Sequence, residues 1–137
     1  VKELAPLVLC LRDVAQGGDL LVIDEPEMNL HPEAQVKFVE FLAMLVNAGL
    51  HLLITTHSSY VVDHLANLIK ASKQERSDDL TAMFFLKQEE AFLQQHDVSV
   101  YLFESGTAKN ILLEDGSIDW GTFSSVSSKI EAINMAL

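Results

Sequence analysis

Two short apolar runs, Leu20 to Ile23 and Leu50 to Thr55, joined by a long helical pattern, constrain the fold of this chain most. The first run does not alternate with polar residues, as expected for a strand covered on both faces. Beyond it, His31-Pro32-Glu33 has the form of a helix start, with proline at the first position and an acid in the first turn. Val36, Phe38, Val39, Phe41, Leu42, Leu45 and Val46 then occupy a wide helical face that runs to Gly49. A strand, a helix and a second strand with a crossover of this length form the βαβ unit of a parallel sheet. Both strands therefore end side by side.

Open α/β sheets bind ligands outside the carboxyl ends of their strands, and there the polar residues concentrate. The first run ends in Asp24-Glu25-Pro26, and the second in Thr56-His57-Ser58-Ser59. A carboxylate at the end of a buried strand can hold Mg²⁺ against nucleotide phosphates, directly or through water, and Asp24 fits that role. An acid one residue later leaves the strand end in the opposite direction and can orient or deprotonate an attacking water, which suits Glu25. His57, at the neighbouring strand end, can offer an imidazole donor to a γ-phosphate. Taken singly, each residue has a plainer reading. Asp24 and Glu25 can be a strand ending in solvent, His57 a turn residue, and Glu27, Asn29 and His31 the polar lead-in to the next helix. Their combination favours a nucleotide site.

The remaining chain supplies flanking elements. Leu4, Leu7, Val8, Leu11 and Val14 are spaced as a helix over residues 3–15, stopped by Gly17-Gly18. Ser58 or Ser59 caps a helix through about Lys70. Residues 71–95 read as a variable connection: 71–80 are polar and loop-like, while Met83 to Leu86 suits a strand and Lys87 to Gln95 a helix. Val98, Val100 and Leu102 alternate with Ser99, Tyr101 and Phe103, and Ser105-Gly106 turns the chain back, so residues 97–115 form an antiparallel hairpin. Trp120 is expected to pack that hairpin onto the core, and the serine-rich tail from Gly121 to form a terminal helix.

Composition narrows the partners. The 137 residues fit a single domain, and 49% hydrophobic content supports a core. A net charge of −11 disfavours a large phosphate-neutralising surface on this chain. Lys70, Lys73 and Arg76 are read as a solvated loop. No apolar run approaches the roughly 20 residues of a membrane span, so a cytoplasmic protein without membrane contact is expected. The single Cys10 excludes a disulfide framework and is read as a buried, inert thiol. His51, His64 and His96 lack ligand spacing and are assigned structural or surface roles. Val1-Lys2-Glu3-Leu4 has no initiator Met and enters a helix without a cap, which reads as a piece of something longer.

Ile23 to Gln35 (Ile-Asp-Glu-Pro-Glu-Met-Asn-Leu-His-Pro-Glu-Ala-Gln), followed by Ile54-Thr-Thr-His-Ser58, resembles the C-terminal half of an ABC-type AAA ATPase of the RecF/Rad50/SMC and overcoming-lysogenisation-defect group. The resemblance covers roughly residues 1–70, and more weakly the hairpin. It implies an α/β fold: the C-terminal lobe of a P-loop NTPase, with parallel strands, flanking helices and a closing hairpin, so that residues 1–137 are one partial ATPase domain. It further implies that Asp24 is the Walker-B aspartate and metal ligand, Glu25 the catalytic glutamate, His57 the switch histidine, and Glu27, Met28, Asn29, Leu30 and His31 the D-loop. The helix at residues 3–15 is similar to the one that follows the signature motif. ATP and Mg²⁺ are the implied cofactors. The implied partner is a second protomer placed head to tail, with DNA or an effector protein engaged through other regions, in processes such as DNA repair or phage defence.

The sequence departs from that family at the phosphate cradle. Gly-x-x-x-x-Gly-Lys-Ser/Thr wraps phosphates in backbone N–H groups, and no lysine here follows a glycine. The chain by itself is therefore expected to bind ATP weakly or not at all. Two other readings stand beside the ATPase lobe. In one, Asp24, Glu25, Glu27 and His57 bind two metals as a nuclease, although Asp115-Gly-Ser-Ile-Asp119 lacks the Asp-x-Asp spacing expected of a Toprim module. In the other, a degenerate or truncated lobe mediates association without catalysis.

Overall fold

The computed structural model describes residues 5–119 and 121–136, which fall into two compact units divided between Gln94 and Gln95. Leu4, Trp120 and Leu137 lie outside the described residues, and with them the role assigned to Trp120.

In the first unit, α1 (Ala5–Asp13) leads to β1 (Leu20–Asp24), α2 (Pro32–Asn47), β2 (His51–Thr55) and α3 (Ser59–Ala71). β1 and β2 pair in parallel, with Leu20 opposite His51 and Asp24 opposite Thr55, so the expected βαβ unit is present. The linking helix begins at Pro32, whose missing N–H costs nothing at the first position. It ends where Gly49 takes a φ of 99°, a left-handed conformation that favours glycine. α3 is capped by Ser58, whose hydroxyl accepts from the Val61 N–H at 3.4 Å.

Most of the core belongs to helices. Val36, Phe38, Val39, Leu42 and Ala43 of α2 are buried, as are Val61, Val62, Ala66, Leu68 and Ile69 of α3. Leu68 and Ile69 are completely enclosed, and full burial of such a side chain is worth about 1.5–3 kcal/mol. The strands contribute less. Leu21, Ile23, Leu52 and Ile54 are half-buried on one face, whereas Leu20, Val22 and Leu53 are exposed on the other. The strand expected to be covered on both faces is thus covered on one, and strict in-out alternation sets which residues show. Cys10 is likewise half-buried rather than buried.

Residues 71–95 are more ordered and more apolar in role than a connecting loop. A short helix, α4 (Asp78–Ala82), is capped by the Ser77 hydroxyl. Phe84, Ala91, Phe92 and Leu93 are buried, and the Phe84 and Phe92 rings meet edge to face at 4.9 Å. Neither the strand nor the helix expected between Met83 and Gln95 forms; the segment makes turns and a single 3₁₀ turn, Glu89–Ala91. Its backbone is held instead by side chains. Asn47, at the end of α2, donates to the carbonyls of Glu90 and Phe92 at 2.7 and 3.0 Å.

The second unit contains a second 3₁₀ turn (Gln95–Asp97), the hairpin β3 (Tyr101–Glu104) and β4 (Thr107–Asn110), and α5 (Gly121–Ala136). Ser105 and Gly106 both have positive φ, 51° and 77°, as a two-residue type I′ turn requires. The hairpin is shorter than residues 97–115, and a lone bridge between Leu112 and Ile118 extends it past Asp115-Gly116. Val98, Val100 and Leu102 are the half-buried set, as the alternation requires. Among the described residues, no helix is long and apolar enough to cross a membrane.

Candidate functional site

The parallel register brings the two strand ends together through a threonine. Thr55 donates its hydroxyl to Asp24 Oδ1. The Glu25 N–H in turn donates to both the carbonyl and the Oγ1 of Thr55, each at 3.1 Å. Asp24 itself is exposed, on the same sheet face as Leu20 and Val22.

At Glu25 the chain leaves the strand in a left-handed conformation, φ 43°. For a residue with a Cβ this costs roughly 1–2 kcal/mol. The turn sends the Glu25 side chain towards the second strand end, where Oε1 lies 3.0 Å from His57 Nδ1. The glutamate is half-buried and the imidazole is 68% exposed. An acid and an imidazole are thereby paired at an open edge of the sheet.

Residues 25–30 form two successive hydrogen-bonded turns, Met28 N–H to the Glu25 carbonyl and Leu30 N–H to the Glu27 carbonyl, both at 3.0 Å. Asn29 carries the second positive φ of the segment, 64°, which Asn tolerates better than most residues. Residues 27–31 face different ways. Met28, Asn29 and His31 are exposed and Leu30 is half-buried, but Glu27 is only 4% exposed. Its Oε1 accepts from the Thr56 hydroxyl and, at 3.4 Å, from the His57 N–H. Its Oε2 is buried with no hydrogen-bond partner, a situation that ordinarily costs about 1–3 kcal/mol.

A second strut joins the segment to α3. Gln35 donates to the Leu30 carbonyl at 2.9 Å and accepts from the Ser58 hydroxyl at 2.6 Å. Asp24, Glu25, Glu27 and His57 are thus brought together, with Thr55, Thr56 and Gln35 as the scaffold. These three were not singled out in the sequence. Their signal is the run Thr55-Thr56-His57 itself, since a hydroxyl beside each acid is the shortest way to fix a carboxylate at a strand end.

Among the described residues no group of three or more His, Cys, Asp or Glu side chains is arranged to hold a metal ion. Asp24, exposed and with Thr55 on Oδ1, can contribute a single carboxylate. That fits Mg²⁺, which commonly takes one or two protein carboxylates and completes its octahedron with waters and phosphate oxygens.

The sequence model of the family described as "AAA domain, putative AbiEii toxin, Type IV TA system" matches residues 1–63, which end just past the switch from β2 into α3. A protein named Old nuclease, from Escherichia phage P2, is 38% identical over 60 residues, covering 42% of this chain. The matched stretch is 10% of that relative's length. No solved structure matches. Residues 1–63, which carry Asp24, Glu25, Glu27 and His57, are similar to AAA-type ATPase domains.

Proposed function

We propose that residues 1–94 are the Walker-B, D-loop and switch-histidine lobe of an ABC-type AAA ATPase. The observation that carries this reading is the pairing of Glu25 with His57 beside Asp24 at the C-terminal edge of a parallel strand pair. In this assignment Asp24 is the residue that would hold Mg²⁺, and the ion would supply positive charge against that developing on the transferred phosphoryl group. Glu25 accepts the proton of the attacking water. His57 holds the Glu25 carboxylate in place by donating Nδ1–H to it, and in the doubly protonated form of the exposed ring Nε2–H is a donor for a phosphate oxygen as well. Met28 and Asn29, exposed at the tip of the turn, are the D-loop residues available to a second protomer placed head to tail.

The 137 residues contain no P-loop, so the reading requires that element from residues outside them. DNA or an effector protein is engaged, on this proposal, through other regions too, in DNA repair or phage defence.

The decisive experiment is Glu25→Gln in a protein that combines these residues with a P-loop. Loss of a positioned general base lowers ATP turnover by roughly 10²- to 10⁴-fold, with nucleotide binding retained. Unchanged turnover removes the assignment. A second reading, a lobe that only mediates association, draws on the exposed apolar side chains Leu20, Val22 and Leu53 on one sheet face. It predicts unchanged function in the same variant, and loss of association on Val22→Asp.

A further inference from the structure

Glu27 stands apart from its neighbours in a way that the roles of Asp24, Glu25 and His57 do not explain. It lies between the half-buried Pro26 and the exposed Met28 and Asn29, yet its carboxyl group is buried. Only one of its oxygens is used, and both donors to that oxygen belong to the segment that carries His57: the Thr56 hydroxyl and the His57 N–H. Thr56 Oγ1 also accepts from the Ser58 N–H at 3.1 Å, so the same hydroxyl fixes the residues on either side of the imidazole. A group whose only task is to fill space beyond the ends of β1 and β2 would be apolar there, because the second oxygen is buried without a donor.

The Glu25 end of the acid–imidazole pair is anchored independently, by the Thr55 carbonyl and hydroxyl. The His57 end has Glu27 as its anchor. We infer that Glu27 is a positioning residue: its Oε1 sets the backbone of Thr56-His57 and so holds Nδ1 at 3.0 Å from Glu25 Oε1. The inference rests on the ATPase reading for its consequence, though not for its geometry. What it requires of residue 27 is reach to two donors with a carbonyl-type oxygen, not charge.

Two conservative changes, only the first of them isosteric, separate those requirements. Glu27→Gln keeps the oxygen and the length, while Glu27→Asp keeps the charge and shortens the reach by one methylene. In the 137-residue chain, amide hydrogen exchange at His57 is expected to keep its protection in Glu27→Gln and to lose it in Glu27→Asp, with the amides of Leu68 and Ile69 unchanged in both. In the protein that carries a P-loop, Glu27→Asp is expected to lower kcat by about 10²-fold, the scale of a small misplacement, at unchanged KM for ATP. Glu27→Gln retains most of the turnover. Equal behaviour of the two variants at His57, or a matching loss of protection at Leu68 and Ile69, overturns the inference. So does a normal kcat in Glu27→Asp where Glu25→Gln abolishes turnover. If Glu25→Gln has no effect, it is the ATPase reading that fails, and the exchange result still decides whether Glu27 holds His57.

Discussion

The Nε2 of His64 on α3 lies 2.8 Å from Oε1 of Glu40 on α2, with the glutamate wholly enclosed and the histidine nearly so. The same carboxylate accepts from the Phe85 N–H at 3.0 Å and the Leu86 N–H at 2.6 Å. The His64 ring also packs against Phe84 and Phe85. One buried acid therefore ties together two helices and the backbone at Phe85 and Leu86. Glu40→Ala leaves the Phe85 and Leu86 N–H groups without an acceptor and His64 Nε2 without its partner, at an expected cost of about 1–3 kcal/mol for each buried group orphaned. Glu40→Gln keeps one oxygen and costs on the order of 1–2 kcal/mol. Urea unfolding of the two variants measures the difference, and equal losses would mean that packing alone matters there.

Thr55 offers a test of the site scaffold that leaves every acid in place. Thr55→Val conserves shape but removes the hydroxyl shared by Asp24 and the Glu25 N–H. The expected stability loss is about 1 kcal/mol, against a larger fall in ATP turnover once a P-loop is present. Turnover that falls only in proportion to the folded fraction would place Thr55 outside the site.

Ser58 links three features: the start of α3, Gln35 on α2 and, through Gln35, the Leu30 carbonyl. Ser58→Ala should destabilise the chain by about 1 kcal/mol, and Ser58→Gly by less. Thermal unfolding followed by circular dichroism reads both, and an Ala variant as stable as the parent would deny the cap its role.

The first turn of α2 gives a pH-dependent signature. The Lys37 ammonium, 2.6 Å from Glu33 Oε1, holds the Glu33 carboxyl below the ordinary glutamate range through its hydrogen bond and charge, with His31 adding a smaller pull. A carboxyl lowered in the folded state stabilises it above the unfolded value, and that contribution is lost as pH falls through the folded one. Carboxyl ¹³C shifts should show Glu33 titrating at a higher pH in Lys37→Ala than in the parent. Both groups are exposed, so the effect on stability is small and shrinks with salt.

What could be read from the sequence followed from periodicity and punctuation. The apolar runs at Leu20 and Leu50, the proline at 32 and the glycine at 49 gave the parallel pair and its helix, and Ser105-Gly106 gave the hairpin. Asp24, Glu25 and His57 were visible because strand ends are marked by abrupt polarity. The covering of Leu20, Val22 and Leu53 was not visible, since an unalternating apolar run does not say which face has a neighbour. Nor was the role of Phe84 to Leu93. Its order comes from side chains distant in sequence, Asn47 and Glu40, that bind its backbone, and no local pattern announces a partner 40 residues away. Glu40 carries no local signal of its role, because its burial depends on tertiary contacts alone.

The left-handed turn at Glu25 has a consequence for what can be substituted there. At φ 43° glycine is the residue the backbone prefers, and β-branched residues are the worst. The carboxylate occupies this position against the local preference, so ranking all substitutions by folding stability and by turnover yields opposed orders, with glycine near the top of one list and the bottom of the other. A position of that kind cannot be improved in both respects, and a library selected only for thermal stability will drift away from glutamate at residue 25.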